Sequence, residues 1–126
     1  MIIIGDSLVP FEEFYKVSNI NEIKDTKPNS LLFFAYNEEL LKYCYKEKLN
    51  FFVYISSIKE GLYASSLNSK YIVCSNSLAK QMQKIADNYM FDTKVLKVIY
   101  KSDDLEEVAL EEIDGAIYSE ALKGKN

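Results

Sequence analysis

The fold is decided by residues 30–89, SLLFFAYNEELLKYCYKEKLNFFVYISSIKEGLYASSLNSKYIVCSNSLAKQMQKIADNY. Three short apolar runs stand in this stretch, at Leu31–Tyr36, Phe51–Ile55 and Tyr71–Cys74. They are continuous rather than alternating, which is typical of strands that are covered on both faces. A pattern of helical period follows each run, so the stretch predicts a βαβαβ arrangement with a parallel sheet.

Polar caps mark where the three helices begin. Asn37 is the expected N-cap of a helix over Glu38–Lys48, and Ser57 forms a capping box with Glu60 at the start of the second helix. The third helix is predicted from Asn76 to about Tyr89, where apolar residues recur at intervals of three and four. The buried face of the second helix is predicted to carry Ile58, Gly61, Leu62 and Ser65, with Gly61 allowing a close approach to the sheet.

The same alternation continues on both sides of this stretch. The further elements expected are a short strand at residues 2–4, a candidate strand at Phe14–Val17, helical turns at Asn19–Lys24, a strand at Lys94–Tyr100, a helix at Asp103–Glu112 and a last strand at Asp114–Tyr118. The C-terminal residues Lys123–Asn126 are expected to fray.

These elements predict a single α/β domain over residues 1–126. We expect a three-layer sandwich with a mainly parallel sheet of five or six strands, either flavodoxin-like or half of a (β/α) barrel. A complete barrel needs about 250 residues, and the chain has 126. An open sheet leaves edges to cover, so a homodimer is a candidate assembly.

The composition excludes several classes of function. The net charge is −4 with no cluster of Lys and Arg, so neither nucleic acid nor a membrane surface is an expected partner. No leader or membrane span is recognised, which predicts a cytoplasmic location. The chain has no histidine, which removes the commonest general base and zinc ligand. Cys44 and Cys74 are expected to be small buried hydrophobes, and no cofactor or metal site is predicted.

Candidate ligand-binding residues follow the strands, because ligands of parallel sheets bind beyond the carboxyl ends of the strands. Helix N-termini beside Ser and Asn suit a phosphate or a carboxylate, so a small anionic metabolite is the candidate ligand. The alternative is that these side chains only cap helices. The candidates are Asp6, Asn37, Ser56, Ser75, Asn76, Ser77, Lys101 and Ser119.

Two catalytic motifs are present only in part, because each lacks a residue that its chemistry requires. Gly5-Asp6-Ser7-Leu8 resembles the nucleophile block of GDSL-type hydrolases, whose reaction needs a histidine that this chain lacks. Response-regulator receivers share the size and the βα alternation, but Phe51–Ser57 holds no phosphoacceptor Asp. The acidic residues Asp104, Glu106, Glu107, Glu111, Glu112 and Asp114 are expected to form a solvated patch.

Four segments resemble a small family of α/β proteins from epsilon-class bacteria, to which no activity is attached. They are Ile3–Asp6, Lys70–Val73, Tyr89–Leu96 and Ile113–Ile117. In addition, Ile113–Leu122 resembles the last strand and turn of phosphate-binding (β/α) barrels such as indole-glycerol-phosphate synthase. The catalytic Lys and Glu of that enzyme family have no counterpart here.

Taken together, these features favour a non-catalytic binding or protein-interaction module. The alternative is an enzyme or binding protein for a phosphorylated or carboxylate metabolite. In that case the helix start at Ser75-Asn76-Ser77 would hold the anion, and Lys101 or Asp6 would serve as acid or base.

Overall fold

A computed structural model describes residues 1–123 of the chain. The fraying expected at the C-terminus concerns residues 124–126, which lie outside this range, while Lys123 belongs to a short 3₁₀ helix. Within the described range, the longest helix has 13 residues, and no helix has both the length and the apolar character needed to cross a membrane.

Strands and helices alternate along residues 1–123. The strands are β1 (Ile2–Ile4), β2 (Phe14–Lys16), β3 (Leu31–Ala35), β4 (Phe51–Tyr54), β5 (Tyr71–Cys74), β6 (Lys94–Ile99) and β7 (Gly115–Tyr118). The helices are α1 (Ile20–Lys24), α2 (Glu38–Lys46), α3 (Ile58–Ser66), α4 (Asn76–Asn88) and α5 (Asp104–Leu110), followed by the 3₁₀ helix Ser119–Lys123. Each predicted element is therefore found, most with ends shifted by one or two residues.

The strands form one parallel sheet in the order β1-β7-β6-β5-β4-β3-β2. The predicted parallel sheet is confirmed, but the predicted five or six strands were too few, since residues 1–123 contain seven. Each of β3–β7 lies beside the strand that precedes it in the chain, whereas β1 lies at the opposite edge from β2 and pairs with β7 through Ile2 and Gly115. This is the strand order of a barrel that stays open between β1 and β2, and the sheet forms a half-barrel.

The helices cover one face of the sheet, so the three-layer sandwich and the flavodoxin-like alternative were wrong. Buried residues of all five α-helices belong to one core cluster, whose members include Ile23, Leu41, Ala64, Met82 and Val108. The reason is topological: right-handed crossovers that always step in the same direction place every helix on the same side. A flavodoxin-like sheet reverses direction once and so receives helices on both faces.

The core on the helix-covered side is closely packed around β3, β4 and their helices. Phe34 and Phe51 stack with ring centroids 5.6 Å apart. Gly61 of α3 is buried and lies where an added Cβ would meet Met82 and Ile55, which confirms its predicted close approach. The predicted buried face was wrong at Leu62, which is 41% exposed, because α3 turns Ala64 toward the sheet instead.

The inner face of the half-barrel is filled by side chains of the strands, with residues of the 3₁₀ helix packed against them. Phe14 meets the rings of Phe33 and Phe52 edge-on, with centroids 5.9 and 4.9 Å away. The link between β1 and β2, residues 5–13, runs from one sheet edge to the other, and Glu12 forms an ion pair of 2.9 Å with Lys70 beside β5. Both faces are therefore buried, as the continuous apolar runs predict.

The acidic segment at α5 is tied to the sheet rather than merely solvated. Lys97 of β6 is only 13% exposed and lies 3.0 Å from Glu107 and 2.7 Å from Glu111. Asp114 accepts a hydrogen bond from the backbone N–H of Val95, at 2.9 Å. The expectation of a solvated acidic patch was wrong for Glu111 and Asp114, which are only partly exposed above a strand lysine and a strand N–H, whereas Glu107 is solvated as expected.

Candidate functional site

The carboxyl ends of the strands meet at one edge of the sheet, because all six strand pairings are parallel. We call the loops and helix starts that follow β1–β7 at this edge the carboxyl-end rim. The predicted ligand-binding residues all lie on it: Asp6, Asn37, Ser56, Ser75, Asn76, Ser77, Lys101 and Ser119. Among residues 1–123, however, no hydrogen bond joins two of the eight. They share an edge without forming one constellation.

Asp6 acts as a cap and a crosslink. One carboxylate oxygen accepts from the backbone N–H groups of Leu8 and Val9, at 2.7 and 3.3 Å, and the other accepts from the Tyr118 hydroxyl at 2.6 Å. The hydrogen bond from Tyr118, followed by those from the backbone, lowers the pKa of Asp6, while the same contact raises the pKa of Tyr118 to about 12. Asp6 is thus an ionised acceptor that joins the end of β1 to the end of β7.

Three other strand ends also donate backbone N–H groups to carboxylates of the protein itself. Glu22 accepts from Ser18 at 2.7 Å, after β2, and Glu60 accepts from Ser56 at 2.8 Å, after β4. After β6, Asp104 accepts from the N–H groups of Tyr100 and Lys101, at 3.0 and 3.2 Å. The hydrogen bond from Tyr100 is the main cause of the lowered pKa of Asp104.

These contacts change the electrostatic character of the rim. In phosphate-binding barrels, loop and helix N–H groups at this edge hold the anion. Here four strand ends present the negative charge of Asp6, Glu22, Glu60 or Asp104 to an incoming ligand, and the N–H groups that they hold are already hydrogen-bonded. Binding an external anion at these positions would require displacing an internal one against like-charge repulsion.

Asn37 is the N-cap of α2, as the alternative interpretation expects. Ser56 immediately precedes the N-cap of α3, which is Ser57. The Asn37 side chain accepts from Leu40 N–H at 3.0 Å, and the hydroxyl of Ser57 accepts from Glu60 N–H at 3.2 Å. Lys101 has an exposed side chain, and Ser119 begins the 3₁₀ helix after β7. No described contact gives Lys101 or Ser119 a chemical role beyond its place on the rim.

The junction between β5 and α4 differs from the other strand ends. Ser75 is the N-cap of α4, but in the described residues its side chain makes no capping hydrogen bond, and the first turn holds no acidic residue. Its hydroxyl instead lies 3.0 Å from the hydroxyl of Tyr54. Asn76 has a φ of 53°, in the left-handed region that Asn tolerates better than most residues. Asn76 and Ser77 are both exposed.

The two cysteines are structural. Cys44 and Cys74 are completely buried, and burial raises the pKa of each thiol to about 12. A thiol in that state is protonated at neutral pH and is a poor nucleophile. The prediction that both are small buried hydrophobes is confirmed.

The sequence interpretation missed a cavity between α2 and α3, which reaches the rim at Tyr36. It has a volume of about 220 Å³ and is lined by Tyr36, Glu38, Leu41, Lys42, Tyr63 and Leu67. The only signal in the sequence was a pair of tyrosines, one at the end of β3 and one on the outer side of α3. Their meeting depends on how the two helices pack, which no local pattern carries.

Within residues 1–123, no group of three or more Cys, Asp or Glu side chains has an arrangement that could hold a metal ion. No protein-family model matches the chain, and no curated protein matches it either. Function is therefore inferred from the geometry of the described residues.

Proposed function

We propose that the protein is a non-catalytic interaction module, and that its partner is a second copy that pairs along the open edge at β1. The observation that carries this proposal is the one-sided pairing of β1. Its only strand neighbour among the described residues is β7, although the strand order is that of a barrel. The cytoplasmic location predicted from the sequence is part of the same proposal.

The free edge of β1 has the properties of a pairing site. The N–H of Ile2 points toward β7, where it donates to the backbone carbonyl of Asp114 at 3.1 Å. Because successive N–H groups of a strand point to opposite sides, the N–H of Ile3 points away from the sheet. No described residue accepts a hydrogen bond from Ile3. A strand with an unpaired edge is a template for an added strand. A cavity of about 250 Å³ also lies between β1 and residues 9–12, with space for side chains of a partner.

The state of the rim supports a binding role over catalysis. Asp6, the candidate acid or base, has both oxygens hydrogen-bonded within the protein and a pKa lowered from its ordinary value. A general base works best with a pKa near the operating pH, whereas the pKa of Asp6 is shifted further below neutral pH.

Light scattering after size-exclusion chromatography tests the proposal. We expect wild-type protein to form a dimer at micromolar concentrations and Ile3→Lys to remain a monomer, because an edge lysine opposes strand pairing. Leu62→Lys is the matched control, since Leu62 is an exposed apolar residue of α3, which packs against β5 in the middle of the sheet, and it should leave the dimer intact. A wild-type monomer at all concentrations would refute the proposal.

A second candidate function is the binding of a phosphorylated or carboxylate metabolite at the junction of β5 and α4. The absence of an acidic residue from the first turn of α4 favours this position over the other strand ends. A thermal-shift screen against phosphorylated metabolites tests it, and Asn76→Ala and Ser77→Ala should abolish any stabilisation. Stabilisation that survives both substitutions would place the ligand elsewhere.

A further inference from the structure

The cavity between α2 and α3 combines aromatic, acidic and apolar surfaces. Tyr36 enters it from the end of β3, and Tyr63, which is 50% exposed, enters it from α3. Leu41, which is buried, and Leu67 contribute aliphatic surface. Glu38, in the first turn of α2, adds a carboxylate to the lining.

Negative charge lies at the Tyr36 end of the cavity. Burial is the main cause that raises the pKa of Tyr36, and the charges of Glu38 and Glu60 raise it further. Both carboxylates are therefore close enough to act on the phenol group. The lining itself holds one carboxylate, Glu38, and one cation, Lys42, while Glu60 acts on Tyr36 from outside the lining. Negative charge beside aromatic rings favours a cation, because the faces of the rings also attract positive charge.

We propose that this cavity binds the head group of a small alkylammonium compound between Tyr36 and Tyr63. Its volume of about 220 Å³ is below the range of roughly 300–1,000 Å³ for sites that enclose a whole drug-sized ligand, so it suits a compact head group. The aliphatic surface of Leu41 and Leu67 favours methyl groups on the nitrogen over a bare, strongly hydrated ammonium ion. The site is separate from the β1 edge, and its test is independent of the dimer.

Choline and its uncharged isostere 3,3-dimethylbutan-1-ol are the probes. Each is titrated into the full chain carrying ¹³C-labelled tyrosine, and the ring resonances are followed by NMR. We expect choline to shift the signals of Tyr36 and Tyr63 in a saturable manner, and the neutral isostere to bind more weakly. Equal affinity for the two probes would overturn the proposal, since the cavity would then recognise shape without charge. An absence of saturable shifts would overturn it as well.

Three substitutions locate the site. Tyr63→Ala should weaken choline binding about two- to fivefold, the usual contribution of one exposed cation–π contact. Glu38→Gln should also weaken binding, and Lys42→Gln should strengthen it. The matched control is Tyr45→Ala, because Tyr45 of α2 is 49% exposed and does not line the cavity. If Tyr45→Ala weakens binding as much as Tyr63→Ala does, or if Lys42→Gln weakens it, the proposal is wrong.

Discussion

Replacing Gly115 with alanine should separate β1 from the sheet. Gly115 opens β7 and pairs with Ile2 of β1. A Cβ added there would lie 2.3 Å from the carbonyl oxygen of Ile2, 2.7 Å from the Cβ of Ile2 and 2.9 Å from the Cδ2 of Leu96. The first distance is about 1 Å short of the ~3.3 Å at which a carbon approaches a carbonyl oxygen. Because the obstacle is backbone, no rotamer change relieves the contact, and β1 must move.

The expected loss of stability follows from two contributions. Overpacking of a well-packed site costs about 1–3 kcal/mol. The shift of β1 also strains the hydrogen bond from Ile2 N–H to Asp114, now 3.1 Å long, and such a bond contributes about 1 kcal/mol. We therefore expect Gly115→Ala to lower the free energy of unfolding by about 2–4 kcal/mol. At ordinary urea m-values the midpoint falls by about 1–2 M.

Urea denaturation followed by far-UV circular dichroism measures this loss, and Gly61→Ala is the control. An added Cβ at Gly61 would meet Met82 Sδ at 2.7 Å and Ile55 Cδ1 at 2.9 Å. These atoms end flexible side chains, and alanine also favours the helix by about 0.5–1 kcal/mol. Gly61→Ala should therefore stay within about 1 kcal/mol of wild type. If the two variants are equally stable, or if Gly61→Ala is the weaker, the docking of β1 against Gly115 is described incorrectly.

Three other predictions address the rim, the ion pair and the thiols. Tyr118→Phe should destabilise the protein above pH 3.8, the ordinary pKa of Asp6, because the hydrogen bond stabilises the ionised form; the difference from wild type should shrink as pH falls through the lowered pKa. A difference in urea midpoint that grows on acidification would contradict this. Lys97→Ala should lower the free energy of unfolding by about 1–3 kcal/mol because it strands Glu111, whereas Lys97→Met should lose less because it keeps the aliphatic stem; a Lys97→Met variant as stable as wild type in urea titrations would show that the charge contributes nothing beyond packing. Cys44 and Cys74 should resist a disulfide reagent such as DTNB at neutral pH in the folded protein and react once urea unfolds it, and prompt reaction before unfolding would show that their burial is wrong.

Local patterns were sufficient to place the secondary structure. Leu31–Ala35 and Tyr71–Cys74 agree with the predicted strands to within one residue. Asn37 and Ser57 cap the helices for which their spacing predicted them, because capping depends only on residues three positions apart. Each of these features is decided by its nearest neighbours in the chain.

The strand order and the chemistry of the rim depend on distant residues, so the sequence pattern did not carry them. No sequence feature near Ile2 predicts that this residue pairs with Gly115. The three-residue strand at Phe14–Lys16 is too short for a clear apolar period, which is why the predicted strand number was low. Asp104 lies in a segment of acidic residues that suggests solvation, and only the turn after β6 shows that its carboxylate holds two backbone N–H groups.

The return of β1 to the far edge has a consequence during synthesis on the ribosome. Each of β3–β7 pairs with the strand made just before it, so β2–β7 can assemble stepwise as translation proceeds. Ile2 is translated long before its partner Gly115, because the two residues lie far apart in the chain. Until then the Ile2-Ile3-Ile4 segment is an exposed apolar strand without its native neighbour. Nascent chains on one polysome are therefore most prone to associate at this segment.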